Sequence, residues 1–389
     1  MTLINTPISP GQNTQFGSGA VMATALSATS VNGKPDFTLA PLPHEISFAV
    51  GGIAENRLHY GWPVDLDRVA LFTLGGTIAM AGGDGGAVVR LSGRDLVAGL
   101  GRRGVEVDVR DLRAVPGGDL SFLDILDVVD AADEAVAKGA CGIVLTQGTD
   151  TLEETAFLID ALWARDAPFV ITGAMRNPTQ PGPDGPANVL AACVVAAAAS
   201  ARCRGALVVF NDEIHAARHV RKSHSMSTAT FACPDLGPIG HVVEGAARFL
   251  AELPRPRPVT GVSRTDLATT RIALYTTTLD DDGVLLNGIA DTHHGLVVAA
   301  FGVGHVPGAL APVLGELVAA MPIVLTSRTG AGPVLADTYG AIGSERDLRR
   351  RGLIGGGFLH PYKARVLLRL LVAAGASRDE IADRFAGFG

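Results

Sequence analysis

The chain has 389 residues, 47% hydrophobic, 18% charged and 5% aromatic, a composition that builds an aliphatic core and excludes a disordered protein. Its length favours two domains over one. A net charge of −7 implies no basic face, so nucleic acid is not an expected partner.

Residues 1–66 are rich in Gly, Pro, Ser, Thr and Asn and lack long helical periodicity. They read as an N-terminal extension of unknown role, with short strands expected at 45–50 and 57–62. No Lys or Arg precedes the mildly apolar stretch 20–28, so a signal peptide is not expected. From Asp67 a βα rhythm begins. Strand 69–73 is followed by a Gly-rich loop and helix 92–100. Strand 105–110 leads to helix 122–137, with Leu126, Val129, Ala132 and Val136 as its apolar stripe. Strand 142–146 leads to helix 152–163, with Leu152, Ala156, Ile159 and Leu162 inward. Strand 169–172, a loop over 176–186, helix 187–200 and strand 205–210 follow.

The run Leu253-Pro254-Arg255-Pro256-Arg257-Pro258 can continue neither a helix nor a central strand. Beyond it, strand 271–275, helix 283–290, strand 296–301, helix 309–320 and strand 323–326 alternate again, and helices 363–373 and 378–385 close the chain. Apolar strands separated by amphipathic helices predict an α/β protein with a mainly parallel sheet. The expected divisions are an extension over 1–66, a larger α/β domain over 67–253, a linker over 254–269 and a smaller α/β domain over 270–389. The Ala-rich run 189–199 is too short to span a bilayer, so no membrane is expected. Cys141, Cys193, Cys203 and Cys233 are too irregularly spaced for a disulfide framework or a zinc site, and they suit a reduced, cytoplasmic setting.

Two segments carry chemistry. Leu74-Gly75-Gly76-Thr77-Ile78-Ala79 follows one strand and Gln147-Gly148-Thr149-Asp150-Thr151-Leu152-Glu153-Glu154 follows another. Each sets a threonine at the carboxyl end of a strand, where open α/β sheets bind ligands. A hydroxyl such as that of Thr77 is a poor nucleophile until a base removes its proton. Taken alone, Gly75-Gly76-Thr77 reads first as a turn with a capping threonine. Thr151 and Glu154 match a capping box, which sets Thr149 and Asp150 just before a helix N-terminus. Free N–H groups there favour a substrate carboxylate, while Asp150 is placed either for structure or to receive an ammonium group. Together they suggest an amino-acid head group. Lys222, beside Arg218 and Arg221, is either a solvated surface charge or, if buried beside a hydroxyl, a base toward Thr149. Gly302-Val303-Gly304-His305 and Gly330-Ala331-Gly332 lack a dinucleotide fingerprint and read as turns. His215, His219, His293, His294 and His305 have no acidic or cysteine partner at ligand spacing, so no metal site is expected.

Taken together, these segments resemble the bacterial-type L-asparaginase/glutaminase family from about Asp67 to the C-terminus. The shared order continues through Thr172-Gly173-Ala174-Met175-Arg176, Asp184-Gly185-Pro186, Asn211-Asp212-Glu213 and Val220-Arg221-Lys222. Gly237-Pro238-Ile239-Gly240 and Lys363-Ala364-Arg365-Val366-Leu367-Leu368 complete it. The resemblance implies a larger and a smaller α/β domain, a homodimer or homotetramer with sites near the subunit interface, and hydrolysis of a small-molecule side-chain amide through an acyl-enzyme. It implies Thr77 as nucleophile, Thr149, Asp150 and Lys222 as a second triad, and Gly76, Gly117, Gly118, Gly148, Thr149 and Asp150 around the substrate. Oxyanion stabilisation would come from backbone near Gly76, Thr77 and Thr149. It implies no metal and no organic cofactor.

Three departures stand out. The loop 80–91 has no tyrosine, where the family places one to assist the nucleophile. Where the family's substrate-carboxylate segment presents a serine beside Gln, Ala or Asp, the stretch here reads Pro116-Gly117-Gly118-Asp119-Leu120-Ser121. Gln147 stands where many relatives have histidine. The first two predict a substrate other than free asparagine. A non-catalytic binding protein of the same fold, or the glutaminase subunit of an amidotransferase, are the alternative readings. Retention of Thr77, Thr149, Asp150 and Lys222 together favours the enzyme. Lys34 and Arg57 as the sole Lys/Arg of residues 1–66 count against a tRNA-directed subunit.

Overall fold

The computed structural model describes residues 67–76, 80–81, 88–89 and 105–388. The strands expected at 45–50 and 57–62, the helix at 92–100 and most of the 80–91 loop lie outside the described residues.

Strand β1 (Asp67–Thr73) precedes the short antiparallel pair β2 (Met80–Ala81) and β3 (Val88–Val89), then β4 (Val105–Asp111). Helix α1 (Phe122–Ala137), β5 (Gly142–Thr146), α2 (Leu152–Leu162), β6 (Phe169–Thr172), α3 (Gly185–Ala197) and β7 (Ala206–Phe210) continue the alternation. The chain then turns antiparallel through β8 (Glu213–Ala216), with Asn211 and Asp212 both at positive φ, 52° and 62°, in the two-residue hairpin turn. The pair β9 (Arg221–Lys222) and β10 (Phe231–Ala232) stands apart, and β11 (Gly240–Val243) and β12 (Ala246–Phe249) extend the main sheet.

The main sheet has eight strands in the order β12-β11-β8-β7-β6-β5-β1-β4, parallel from β4 to β7. The chain leaves β1 for one neighbour, β4, and returns to the other, β5. The sequence order therefore reverses between β1 and β5, which opens a crevice at their carboxyl ends. Side chains alternate along these strands. Ala70, Phe72, Ile143 and Leu145 face α1 and α2, whereas Val69, Leu71 and Val144 face α3.

After α4 (Arg264–Thr269), a second sheet of four parallel strands runs β13 (Ile272–Thr276), β14 (Gly295–Ala300), β15 (Ile323–Ser327) and β16 (Ile354–Gly355). Helix α5 (Leu310–Leu317) covers its outer face, and α6 (Glu345–Arg350) packs beside α5. Helix α7 (Pro361–Ala373) lies between the second sheet and α2, so one continuous core joins the two sheets, and α8 (Arg378–Ala386) closes it at β16. The architecture is a larger, mainly parallel α/β unit followed by a smaller parallel α/β unit.

Three local expectations need correction. Helix α1 buries Ile125, Val128, Ala132 and Ala135, not the stripe through Leu126. The helix is apolar over a wide arc, and Leu126, Val129 and Val136 sit at its half-buried edge. The helix expected over 283–290 is two 3-10 turns, because Gly283 and Gly288 both adopt left-handed conformations, at φ 75° and 70°, and interrupt it. Helix α3 begins at Gly185 rather than after Pro186, since proline is tolerated in a first turn that has no intrahelical N–H bonds to lose.

Candidate active site

Three loops meet at the β1/β5 crevice. Gly75 and Gly76 leave β1 at φ 99° and 86°. A Cβ on Gly76 would run into the backbone amide of Gly148, so only glycine satisfies both the dihedral and the approach. Gly117, in the 3-10 turn after β4, packs against Gly148 from the other side. Gly118 faces open space, since a Cβ there meets nothing within 4 Å. The structure thus brings Gly76, Gly117 and Gly148 into contact, with Gly118 at their rim. Thr77 lies outside the described residues.

The third loop carries Thr149 and Asp150 from β5 into α2. The Thr149 side chain lies in a residue only 6% exposed, and Lys222 on β9 donates from Nζ to Thr149 Oγ1 at 3.0 Å and to Asp150 Oδ1 at 2.7 Å. Lys222 is mostly enclosed, whereas the Asp150 side chain is 79% exposed. The carboxylate therefore has free lone pairs toward solvent after it has paired with the lysine. The expectation of Lys222 beside a hydroxyl, rather than in solvent, matches this geometry.

The capping box is overturned. Thr151 is the N-cap of α2, but its side chain makes no cap hydrogen bond. Its hydroxyl instead donates to the Gly117 carbonyl at 2.8 Å and ties the loop after β4 to the loop after β5. Glu154 does not reach back either; burial pushes its carboxyl above the usual range, opposed by Arg365. A sequence shows only that threonine and glutamate stand three apart, which a capping box requires and the bond to Gly117 merely permits.

Glu153 was legible as part of the motif but not as a site residue. Its carboxylate, in a residue 6% exposed, accepts the backbone N–H of Lys222 at 3.3 Å. Burial raises its pKa, while Lys363 and Arg221 oppose that shift through their charge. Lys363 itself is fully buried, and burial pushes its ammonium down to about 8. The available signal was its phase: Lys363, Val366, Leu367 and Leu370 share one buried helix face.

Other shared segments prove structural. Asp184 accepts the backbone N–H groups of Met175 and Arg176, Asn188 donates to Gly173 O at 3.0 Å, and its amide oxygen accepts Asn211 N–H at 3.0 Å. These bonds fix the loop after β6 behind Thr149. The buried His215 contacts Cys233 Sγ at 3.5 Å and Glu213 at 3.2 Å. Among the described residues no cluster of three or more His, Cys, Asp or Glu forms that could hold a metal ion.

Comparison with known proteins now decides the lineage. Residues 68–255 match the family model for the asparaginase N-terminal region, and residues 271–385 match that for the glutaminase/asparaginase C-terminal domain. The chain belongs to the asparaginase family. It is 35% identical over 326 residues to a "Probable L-asparaginase" of Deinococcus radiodurans, covering 82% of this chain and 97% of that relative. An "L-asparaginase" of Bacillus licheniformis is 31% identical over 324 residues, or 82% and 98% of the two chains. A crystal structure of a "Probable Cytoplasmic L-asparaginase" from Campylobacter jejuni superposes with a TM-score of 0.73 at 27% identity, over 82% of this chain and 99% of that one. Membership of the asparaginase family makes this chain an amidohydrolase, an enzyme that splits an amide into an acid and ammonia.

Proposed function

We propose that this asparaginase-family enzyme hydrolyses the side-chain amide of asparagine or of a closely related small amide, with Thr77 as the acylated nucleophile and Thr149, Lys222 and Asp150 as the proton-handling group. The observation that supports the reading is Lys222 Nζ held between Thr149 Oγ1 and Asp150 Oδ1 at a strand end beside the β1/β5 crevice. Thr77 is the residue after Gly76, whose backbone abuts Gly148, and its role rests on the family resemblance.

In this reading Thr77 Oγ bonds to the amide carbon while its proton passes to a base, and the C–N bond breaks as the nitrogen takes up a proton and leaves as ammonia. Water then attacks the resulting ester, releases the carboxylate and returns the proton to Thr77. Lys222, when neutral, takes a proton from Thr149 and so lets that hydroxyl deprotonate an attacking group. Asp150, open to solvent, receives the substrate ammonium. Gly76, Gly117, Gly118 and Gly148 line the pocket with backbone, and N–H groups near Gly76, Thr77 and Thr149 stabilise the developing oxyanion.

The domain division at 67–253, 254–269 and 270–389 is proposed on the same footing and is supported by the two separate sheets. A homodimer or homotetramer with sites near the subunit interface is supported by the resemblance, and sedimentation velocity reads it directly. A cytoplasmic setting is supported by Cys193 and Cys233, which are buried as thiols. No helix among the described residues is long and apolar enough to cross a membrane.

The test is ammonia release over a panel of asparagine, glutamine and acylated or peptidyl amides, followed by acid quench and peptide mass mapping during turnover. An ester on Thr77 supports the assignment; an ester on Thr149, the threonine that Lys222 contacts, transfers the nucleophile role to it.

A further inference from the structure

We infer that Lys363 is a positioning residue for Lys222, reaching from the C-terminal unit to hold the segment that carries it. This rests on the reading that Lys222 works with Thr149. Lys363 stands in the first turn of α7 and is 0% exposed. Its Nζ donates to the carbonyl of Ala217, at 2.7 Å, and to that of Val220. These carbonyls belong to the tight turn between β8 and β9, where His219 N–H and Val220 N–H both return to Ala216 O. Lys222 follows two residues after Val220.

Core packing does not account for a lysine here. A buried ammonium loses its hydration, and an apolar side chain of the same length would fill the same space without that cost. What the ammonium gains in return is the nearby charge of Glu153 and the pair of inward carbonyls, which would otherwise be buried without a donor. Those carbonyls fix the height of the turn above α7. Glu153 accepts Lys222 N–H from α2, and Arg221 donates to the Gly330 carbonyl from the neighbouring residue. The backbone at Lys222 is thereby referenced to three elements, one of them α2 itself, whose leading loop carries Thr149 and Asp150. The Lys222 Nζ position relative to Thr149 Oγ1 follows from these anchors rather than from side-chain rotamer alone.

The test compares the whole chain with Lys363→Met, Lys363→Arg and Lys222→Met, each checked by circular dichroism and thermal melting. Lys363→Met deletes the donors at similar length. It should lower kcat about tenfold or more while KM stays within about threefold, because a misplaced base slows the chemistry without touching substrate contacts. Lys363→Arg, which keeps charge and donors, should recover most of the loss. In the Lys222→Met background, Lys363→Met should change the residual rate by less than about twofold, since the residue it positions is gone. Should Lys363→Met fail to fold, Lys363→Gln, whose amide nitrogen stands one bond short of the ammonium position and carries no charge, enters the same cycle with the same expectations. A folded Lys363 variant with unchanged kcat, or one whose effect persists undiminished without Lys222, overturns the inference. Full activity in Lys222→Met alone instead sinks the underlying reading and is seen separately.

Discussion

Asp150 spends one carboxylate oxygen on Lys222 at 2.7 Å and presents the rest of a side chain that is 79% exposed. If that exposed edge receives a substrate ammonium, Asp150→Asn should reduce kcat/KM for free asparagine by about one to two decades relative to an N-acyl derivative, since a hydrogen bond to a charged group is worth about 1.5–3 kcal/mol. The ratio between the two substrates is the readout, because the loss of pairing with Lys222 affects both. Gly118 gives a second residue-scale test. Open space lies where its side chain would be, so Gly118→Ser fits without repacking and adds a hydroxyl at the pocket rim. It should raise kcat/KM for free asparagine several-fold and lower it for bulky amides; no change in that preference would remove Gly118 from the substrate end of the pocket. At this scale the sequence exposed residue types but not contacts. Lys222 beside Thr149 was an alternative to a surface charge until β9 placed it there, and Glu153 was hidden because a glutamate in a first helical turn is ordinary on macrodipole grounds alone.

Elements join the site through bonds that cross between loops. Thr151 at the start of α2 donates to Gly117 O at 2.8 Å, so Thr151→Val should detach the loop after β4. The expected loss of stability is about 1 kcal/mol in chemical denaturation, together with a rise in KM that exceeds the fall in kcat. Unaltered KM would mean that the Gly117 turn does not depend on this bond. Strands and long helices were legible because buried parallel strands are continuous apolar runs; β5 and β6 fall at the expected residues. What escaped was set by tertiary contact or by backbone dihedrals. The capping box failed because Thr151 had a better partner in another loop, and the 283–290 helix failed because glycines at 283 and 288 take left-handed conformations. The antiparallel additions β8, β11 and β12 were missed because four-residue strands carry little periodic signal, β11 and β12 being half-exposed as well and β8 holding a histidine in its buried run.

The molecule as a whole buries several ionisable groups in the joint between its two sheets, and this predicts its response to pH. Burial pushes His215 and His219 down to about 4 and His360 to about 3, below the ordinary value near 6.5 that the unfolded chain has. Between those values the unfolded chain binds more protons, so the stability these histidines confer is present above about pH 6.5 and is lost as pH falls toward 4. Glu153, Glu154 and Asp160, raised by burial, act in the opposite sense and favour the folded chain as pH falls. Three histidines against three carboxylates leave the net slope to the size of each shift, so the histidine share is read by substitution. The fall in melting temperature from pH 6.5 to 4 should shrink in His215→Gln, the most deeply buried of the three; an unchanged pH dependence in that variant would contradict a buried, neutral His215. The same joint carries Lys363 to the Lys222 segment, so the smaller unit takes part in the site through the shared core. The account turns on Lys222. Steady-state ammonia release by the intact chain and by Lys222→Met, on whichever amide of the panel is turned over best, tests it most directly. The account predicts a fall of about a hundredfold or more with the fold preserved, whereas a folded Lys222→Met with the rate of the intact chain would contradict it.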